Sequence, residues 1–566
     1  MVERKMAIMN SRNYKEHTVF RILFLVLINL FFRFQLYAQQ RPNIVLIMVD
    51  DMGFSDIGPY GGEIETPNLD NLAANGVRFT QFYNTSRCCP SRASLLTGLD
   101  HHQAGMGLMI EDRTEKPGYL GHLARERCTT IAEVLGKSGY GTYMVGKWHL
   151  GNFKGEGPLD WGFDHFYGSL EGAISYFEPG NQVKYPHDKN PRYVTLDHDT
   201  ITPDKNYYAT NRFTDYGKLF LDQHFNERKG TPFFLYTAYN APHWPLQALP
   251  KDIKKYEDKY IKGWDKLREE RYERQLKLGV LKSENTLLSP RTDDRYEPGG
   301  KWPFTRDPLP AWDSLPKEKQ KDLAKRMAIY AAMIDNVDQN IGRLMEYLKE
   351  KNELNNTIIL FLSDNGGAIG GNVQGMNALG QRGNLDAYGT TNSFISYGLG
   401  WANASNTPFR MYKCYVHEGG ISSPLIAYWP EGIKKQKGSF IRTPTHITDI
   451  MPTILEAAGT TYPDKMKEHD IIDFPGQSLL PLIIHNGKTF NENRALYWEH
   501  AGNKAVREGK WKIVQIQDGQ WELYDMEEDR TEQKNLIKQY PERVERMKKM
   551  YKEWADRTYV NPPLNN

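Results

Sequence analysis

Residues 88–98, CCPSRASLLTG, combine a thiol, a guanidinium and a predicted helix start within eleven positions. They follow Val77–Tyr83, which has the composition of a strand. Pro90 is suited to open a helix, because a first helical residue needs no N–H. The free backbone N–H groups and the positive dipole end of such a helix favour a bound anion. Cys88 would then lie just before an anion site; the alternative is a buried, unreactive thiol beside a turn.

Two adjacent carboxylates, Asp50 and Asp51, follow the apolar run Asn43–Val49. Such a continuous run predicts a strand that is buried on both faces, as in parallel sheets. Adjacent carboxylates repel each other and are unstable when buried without partners, so a divalent cation is the simplest remedy. An exposed strand end with helix-capping aspartates is the alternative, and these residues alone leave both interpretations open.

Asp364 and Asn365 follow a second apolar run, residues 357–362, and lead into two glycines. The carboxyl ends of strands in an α/β sheet meet at the edge where ligands bind in such folds. Three carboxylates and an amide oxygen form a ligand set that suits Ca²⁺ or Mg²⁺ better than Zn²⁺. The two strand ends together therefore predict a divalent-cation site at the sheet edge.

Three basic residues follow two further predicted strands. Lys147 and His149 come after the run 141–145, and residues two apart on an extended segment point the same way. His243 comes after the run 232–238, in a loop that its flanking prolines restrict. The alternatives are that Lys147 and His149 are surface residues and that His243 is a histidine packed within its loop.

These motifs resemble the signatures of the type I sulfatases. In that family a separate enzyme oxidises the cysteine of C-x-P-S-R-x-x-L-L-T-G to formylglycine, and here only Cys88 has proline at plus two and arginine at plus four. The family holds its metal ion with a D-D pair, the formylglycine and a D-N pair. The resemblance therefore implies a Ca²⁺ site, with Mg²⁺ as the other candidate, whose ligands are Asp50, Asp51, Cys88, Asp364 and Asn365.

The same resemblance implies roles for the basic residues. Arg92 would orient the hydrated formylglycine, Lys147 in G-K-W-H-L-G would contact sulfate, and His149 would act on the gem-diol. His243 in P-H-x-P would contact the sulfate and the leaving-group oxygen. Lys413 matches the sulfate-binding lysine of P-x-R-x-x-K.

One departure from the family pattern follows Lys413. The family continues its E-G-G turn with x-R-x-P, whereas residues 421–424 here read ISSP. Ser422 therefore stands where the family has arginine, and we expect a structural arginine contact to be missing.

The resemblance implies an α/β fold of the alkaline-phosphatase type, a sandwich with a large mixed, mostly parallel sheet between helices. Residues 39–462 would form the catalytic domain, and residues 463–566 a small C-terminal α+β domain with an antiparallel sheet. An apolar pattern over residues 323–348 predicts one long amphipathic helix. Residues 251–316 are interpreted as either a rim of the site or a surface insertion, and residues 370–404 as a loop over the site.

Composition gives no sign of nucleic acid or a membrane surface as a partner, because 72 basic and 70 acidic residues leave a net charge of +2. Four cysteines are too few for a disulfide scaffold. Residues 1–38 are predicted to be a signal peptide, since the apolar run 22–32 is too short to span a bilayer. The mature protein is expected to be periplasmic or secreted, without stable membrane insertion; an uncleaved anchor is the alternative.

The predicted function is hydrolysis of sulfate monoesters by an arylsulfatase-type enzyme. The substrate would be a small-molecule or glycan sulfate ester, and a maturation enzyme acting on Cys88 would be a partner. Residues 99–123 also resemble the long bacterial arylsulfatases. The alternatives are a polysaccharide sulfatase, a phosphonate or phosphate monoester hydrolase of the same superfamily, and a non-catalytic binder of sulfated glycans.

Overall fold

The computed structural model describes residues 41–180, 192–282, 286–292, 295, 299, 306–380, 383–466, 469–485, 490–517 and 519–560. The predicted signal peptide, residues 1–38, lies outside these residues. Within the described ranges, no helix combines the length and the apolar character needed to cross a membrane.

One large mixed sheet organises the chain from Asn43 onward. Its strands are β1 (Asn43–Val49), β2 (Val77–Tyr83), β3 (Gly141–Lys147), β4 (His165–Ser169), β5 (Val194–Leu196), β6 (Asp199–Ile201), β7 (Phe233–Ala238), β8 (Thr357–Ser363), β9 (Ser422–Tyr428), β10 (Ser439–Ile441) and β11 (Thr445–His446). Their order is β10-β2-β9-β8-β1-β7-β3-β4-β5-β6, with β11 also beside β2. The central pairs are parallel, and β9 runs antiparallel to β2 and β8. The predicted mixed, mostly parallel sheet is confirmed.

Helices cover both faces of this sheet. The α-helices are α1 (Pro67–Asn75), α2 (Cys88–Thr97), α3 (Ile131–Lys137), α4 (Ala209–Glu227), α5 (Pro250–Lys254), α6 (Gly263–Leu278), α7 (Lys317–Glu350), α8 (Leu399–Ser405), α9 (Glu418–Ile421), α10 (Ile450–Ala457), α11 (Leu480–Ile484) and α12 (Pro541–Arg557). In β1, Val45 and Ile47 belong to the core that contains α4 and α7. Ile44 and Leu46 belong to the core that contains α2, α3 and α10. The strand is therefore buried on both faces, as its composition predicts.

Helix α7 is the long helix that the apolar pattern predicts. It has 34 residues and extends beyond the predicted 323–348 at both ends. Residues 251–316, whose role the sequence leaves open, contain most of α5, all of α6 and a short 3-10 turn, Trp312–Ser314. Residues 370–404 differ from the predicted loop, because they include most of α8, whose residues are all buried.

A second, antiparallel sheet lies near the C-terminus, as predicted. Its strands, in spatial and chain order, are β14 (Ala495–His500), β15 (Asn503–Glu508), β16 (Trp511–Gln515) and β17 (Trp521–Asp525); a short ladder, β12 (Lys465–Met466) with β13 (His469–Asp470), precedes them. Helix α12 packs on one face of this sheet through Met547 and Trp554. The other face packs against Tyr83 of β2 and Ile421 of α9. The domain boundary at residue 463 stays a prediction.

Candidate active site

The ends of β1 and β8 bring the acidic residues together. The two strands are parallel neighbours with Val49 opposite Ser363, so Asp50 and Asp364 leave the sheet side by side. The backbone N–H of Asp51 donates to Oδ1 of Asp364 at 3.2 Å. Asp51 has φ +66°, a left-handed conformation that costs a non-glycine residue energy and is found most often at functional sites.

Helix α2 places Cys88 beside these carboxylates. The helix begins at Cys88, two residues before the start that Pro90 predicts. Proline is tolerated at the third helical position because the first four N–H groups of a helix have no intrahelical partner. Cys88 is only 2% exposed. Its sulfur and carboxylate oxygens of Asp50 and Asp364 all lie within 4.8 Å of one another.

Three buried oxygens at this place have no hydrogen-bond partner in the part of the chain that the structure describes: Oδ1 of Asp50, Oδ2 of Asp51 and Oδ1 of Asn365. The amide nitrogen of Asn365 donates to the other oxygen of Asp51 at 2.7 Å, which fixes its own oxygen on the opposite side. Unpaired buried carboxylate oxygens are unstable without a cation. The oxygens fit a hard divalent ion such as Ca²⁺ or Mg²⁺.

Arg92 and Lys147 surround the acidic residues with positive charge. Lys147 Nζ donates to Oδ2 of Asp50 at 2.5 Å. Arg92 Nη2 donates to Oδ2 of Asp364 at 3.0 Å and lies 3.7 Å from Oδ2 of Asp50. Arg92 Nη1 donates to the backbone carbonyl of Lys147 at 2.9 Å, which ties the end of β3 to α2. All four side chains are fully buried.

Lys413 and His243 contact the second aspartate. Lys413 Nζ donates to Oδ1 of Asp51. His243 Nε2 lies 3.5 Å from Oδ2 of Asp51, and its Nδ1 lies 2.5 Å from the carbonyl oxygen of Trp244. Because a carbonyl can only accept, Nδ1 carries the proton, and Nε2 faces the site. The structure thus brings all six predicted basic and nucleophilic residues and all the predicted ligands to one place.

The electrostatics of Asp50 and Asp364 differ. Burial raises the pKa of Asp50, but Lys147, His243, Arg92 and Lys413 lower it more, so it is well below its usual value. Burial and the charge of Asp50 raise the pKa of Asp364 to about 7, against the opposing effect of Arg92. Asp50 is therefore the stronger acid of the two carboxyl groups.

The two histidines are neutral at ordinary pH. Burial, followed by repulsion from Lys147 and Arg92, holds the pKa of His149 well below its usual value. Neither ring nitrogen of His149 has a hydrogen-bond partner among the described residues, and its φ is +57°. Burial lowers the pKa of His243 to about 4, although Asp51 and Asp50 act in the opposite direction. Each ring is therefore neutral in the folded protein.

A cavity of about 250 Å³ opens over Cys88, His149, His243 and Lys413. Part of its wall is apolar, and two acidic residues and two arginines, Arg87 and Arg192, also line it. The apolar residues are Met109, Ala173, Trp244, Ala368 and Ile369, and the acidic residues are Glu111 and Asp112. The described part of residues 251–316 does not line this cavity.

Several residues of the site have no signal in the sequence. Arg87 Nη1 lies 2.5 Å from the sulfur of Cys414, and both line the cavity. Glu111 and Asp112 lie in residues 99–123, where the sequence shows only a resemblance to the long bacterial arylsulfatases. His102, to which no catalytic role is assigned, lies outside the cavity lining, with Nε2 2.8 Å from Oε2 of Glu499.

Comparison with known families matches two profiles to the chain. The profile named Sulfatase matches residues 42–460. The profile of the C-terminal region of N-sulphoglucosamine sulphohydrolase matches residues 409–558. Together they span nearly all of the described chain.

Comparison with individual proteins gives relatives of similar length. An arylsulfatase of Klebsiella aerogenes is 35% identical over 451 residues, which are 78% of this chain and 92% of that protein. An uncharacterized sulfatase of Schizosaccharomyces pombe is 37% identical over 528 residues, 89% of this chain and 91% of that protein. The solved structure of Ps i-CgsB in complex with k-i-k-neocarrahexaose has a TM-score of 0.64 and 25% identity, and the match covers 91% of this chain and 93% of that one.

Proposed function

The chain belongs to the sulfatase family, and we propose on this premise that it is an arylsulfatase-type sulfuric ester hydrolase. The observation that carries the proposal is the sulfur of Cys88 within 4.8 Å of carboxylate oxygens of Asp50 and Asp364, next to a group in which Oδ1 of Asp50, Oδ2 of Asp51 and Oδ1 of Asn365 have no hydrogen-bond partner among the described residues. A buried thiol next to a cation site and several basic side chains matches the needs of sulfate ester cleavage. An inert core cysteine requires none of these neighbours.

We assign the divalent ion, Ca²⁺ or Mg²⁺, to Asp50, Asp51, Asp364 and Asn365 together with the modified side chain of Cys88. A bound ion would lower the pKa of a coordinated hydroxyl and offset charge on the sulfate. Cys88 would be converted to formylglycine by a maturation enzyme, and the hydrated aldehyde would supply the nucleophilic hydroxyl.

The other side chains would handle charge and protons. Arg92 holds the Cys88 end of α2 against Asp364, so it would orient the nucleophile. Lys147 and Lys413 would neutralise sulfate oxygens, where charge lies in the transition state. His243, once protonated at Nε2, would supply a proton to the leaving oxygen, and neutral His149 would accept a proton from the hydrated aldehyde.

The cavity supports an aryl leaving group. Its volume is suited to a small organic group, and Met109, Trp244 and Ile369 provide apolar contacts to a ring. The Klebsiella relative is named an arylsulfatase, which favours the same class. A carbohydrate sulfatase is the second candidate, since the solved relative Ps i-CgsB holds an oligosaccharide.

The proposal is tested by expressing the protein with a formylglycine-generating enzyme and measuring the mass of the peptide that spans residue 88. We expect this peptide to carry the aldehyde and the protein to hydrolyse nitrophenyl sulfate much faster than nitrophenyl phosphate. A panel of sugar sulfates separates the arylsulfatase from the carbohydrate sulfatase. A preference for phosphate would instead identify a phosphatase of the superfamily.

Cys88→Ala and Cys89→Ala form a matched pair, because both cysteines are buried and adjacent. We expect Cys88→Ala to lose about 1000-fold or more in kcat, and Cys89→Ala to stay within about 3-fold of wild type. Equal activity of the two variants, or full activity of a preparation with unmodified Cys88, would refute the mechanism.

A further inference from the structure

Arg530 follows β17 in the C-terminal segment, yet it contacts the turn at the start of β9. Its Nη2 donates to Oγ of Ser422 at 3.0 Å, and its Nε lies 3.4 Å from Oε2 of Glu418. Ser422 is the position where the family pattern has arginine. Arg530 thus brings a guanidinium to the side chain of residue 422, where the sequence itself has none.

Glu418 requires this positive charge. It is fully buried, and its other partners are Lys512 Nζ at 3.0 Å and the hydroxyl of Tyr83 at 2.9 Å. Lys512 is shared with a second buried carboxylate, Glu532, at 2.7 Å. One lysine cannot neutralise two buried carboxylates; Arg530 contacts Glu418 directly, and the buried Arg507, which donates to the hydroxyl of Tyr83, adds further positive charge nearby.

The turn that Arg530 holds is bonded to two parts of the candidate site. The N–H of Gly419 donates to the carbonyl of Arg410 at 2.9 Å, three residues before Lys413. The N–H of Gly366, which directly follows Asn365, donates to the carbonyl of Gly420 at 3.1 Å. A shift of this turn would therefore move both a candidate metal ligand and a candidate sulfate contact.

Arg530 also packs on two aromatic rings near the site. Its guanidinium carbon lies 4.6 Å from the ring centre of Phe409 and 5.6 Å from that of Phe54. The two rings contact each other edge to face, with centres 4.9 Å apart. Phe54 lies three residues after Asp51, and Phe409 lies four residues before Lys413. A planar guanidinium suits this stacking, whereas an ammonium group does not.

We propose that Arg530 is a positioning residue, which replaces from the C-terminal segment the arginine absent at position 422 and holds Asn365 and Lys413 in place. This inference rests on the proposed function, because it assigns those two residues to ligand binding. It does not require Arg530 to touch the substrate.

The experiment compares wild type with Arg530→Ala, Arg530→Lys, Ser422→Arg and the double variant Arg530→Ala/Ser422→Arg. We measure kcat and KM for nitrophenyl sulfate, the dissociation constant of Ca²⁺ by calorimetry on the metal-free protein, and the melting temperature. Arg530→Ala is expected to lower kcat about 10- to 100-fold and to weaken Ca²⁺ binding about 5-fold or more. Arg530→Lys is expected to recover only part of this loss, since it keeps charge but not the planar fork.

The double variant is the decisive measurement. Adding Ser422→Arg to Arg530→Ala should restore kcat and Ca²⁺ affinity by about 10-fold and 5-fold, whereas Ser422→Arg alone should lower both, because two guanidinium groups then compete for one place. Arg546→Ala is the control: Arg546 also pairs with a glutamate in the C-terminal segment, but it is about half exposed.

Three results would overturn the inference: unchanged kcat and Ca²⁺ affinity in Arg530→Ala with only a lower melting temperature, no recovery in the double variant, or effects of Arg546→Ala equal to those of Arg530→Ala. If Arg530→Ala does not fold, a folded, active double variant supports the inference and an unfolded one contradicts it. Wild-type protein without sulfatase activity would refute the proposed function instead, while Ca²⁺ affinity would still decide the role of Arg530.

Discussion

Lys147 and Asp50 form a fully buried ion pair, with Nζ of the lysine 2.5 Å from Oδ2 of the aspartate. The other oxygen of Asp50 has no hydrogen-bond partner among the described residues. One carboxylate thus faces a fixed cation of the protein on one side and the candidate metal position on the other. Lys147 therefore controls the charge of a candidate metal ligand in addition to its proposed contact with sulfate.

Replacement of Lys147 by alanine is expected to lower kcat about 100- to 1000-fold, because both a transition-state contact and the partner of Asp50 are lost. The measurement is steady-state hydrolysis of nitrophenyl sulfate. Lys154→Ala is the control, since Lys154 is an exposed lysine seven residues along the chain. A kcat for Lys147→Ala within 3-fold of the control would contradict the assignment.

Removal of the divalent ion is expected to destabilise the protein. Without the ion, one oxygen each of Asp50, Asp51 and Asn365 is left buried with no hydrogen-bond partner among the described residues. We expect a chelator to lower the free energy of unfolding by about 2–4 kcal/mol, as measured by urea unfolding. Excess Ca²⁺ should restore it, and Asp51→Asn should respond less than wild type. Identical unfolding curves with and without chelator would rule out a site in the folded protein.

Glu111 and Asp112, in a lining that also contains Arg87 and Arg192, are expected to select against anionic leaving groups. Glu111 and Asp112 would repel a second sulfate or a carboxylate on the substrate. In the double variant Glu111→Gln/Asp112→Asn, we expect kcat/KM for a disulfated sugar to rise about 3- to 10-fold while that for nitrophenyl sulfate changes little. Glu115→Gln, an exposed neighbour that does not line the cavity, serves as the control. Equal effects on both substrates would argue against charge selection.

Stability at acid pH is expected to depend on Glu63. Its Oε2 accepts a hydrogen bond from Nε of Arg271 at 2.8 Å, and its Oε1 accepts one from the hydroxyl of Tyr260 at 2.8 Å. Burial raises the pKa of Glu63, but Arg271 and Tyr260 lower it more, to about 2 from 4.5. A folded-state pKa below the unfolded-state value gives stability that is present above pH 4.5 and lost as the pH falls toward 2.

The corresponding measurement is urea unfolding of wild type and Glu63→Gln at pH 6 and pH 3. Wild type should lose about 2 kcal/mol more than the variant between these values. Glu65→Gln, at an exposed position two residues away, should behave as wild type. A Glu63→Gln variant with the wild-type pH dependence would show that this ion pair does not contribute.

The sequence was sufficient to predict the central strands and the convergence of their ends. Continuous apolar runs identify β1 and β8, and parallel neighbours necessarily place Asp50 and Asp364 together. The helix start at Cys88 was misplaced by two residues because proline is compatible with several positions of a first turn. Local patterns locate elements well and their ends less well.

The contacts that the sequence does not predict are those between distant segments of the chain. Arg530 reaches Ser422 across 108 positions of the chain, and no periodic pattern records such a pairing. The arginine expected to be absent at residue 422 is therefore absent from the motif but not from the fold. The same holds for Glu111 and Asp112, because their place in the cavity wall depends on segments that are distant in the sequence.

The burial of Cys88 also limits when this residue can be modified. A side chain that is 2% exposed cannot enter the active site of a second protein after the chain has closed around it. The proposed conversion of Cys88 would therefore take place before the chain folds, while this segment is still accessible. Molecules that fold with an unconverted Cys88 would stay inactive. The specific activity of a preparation would therefore report the fraction of molecules that were converted before they folded.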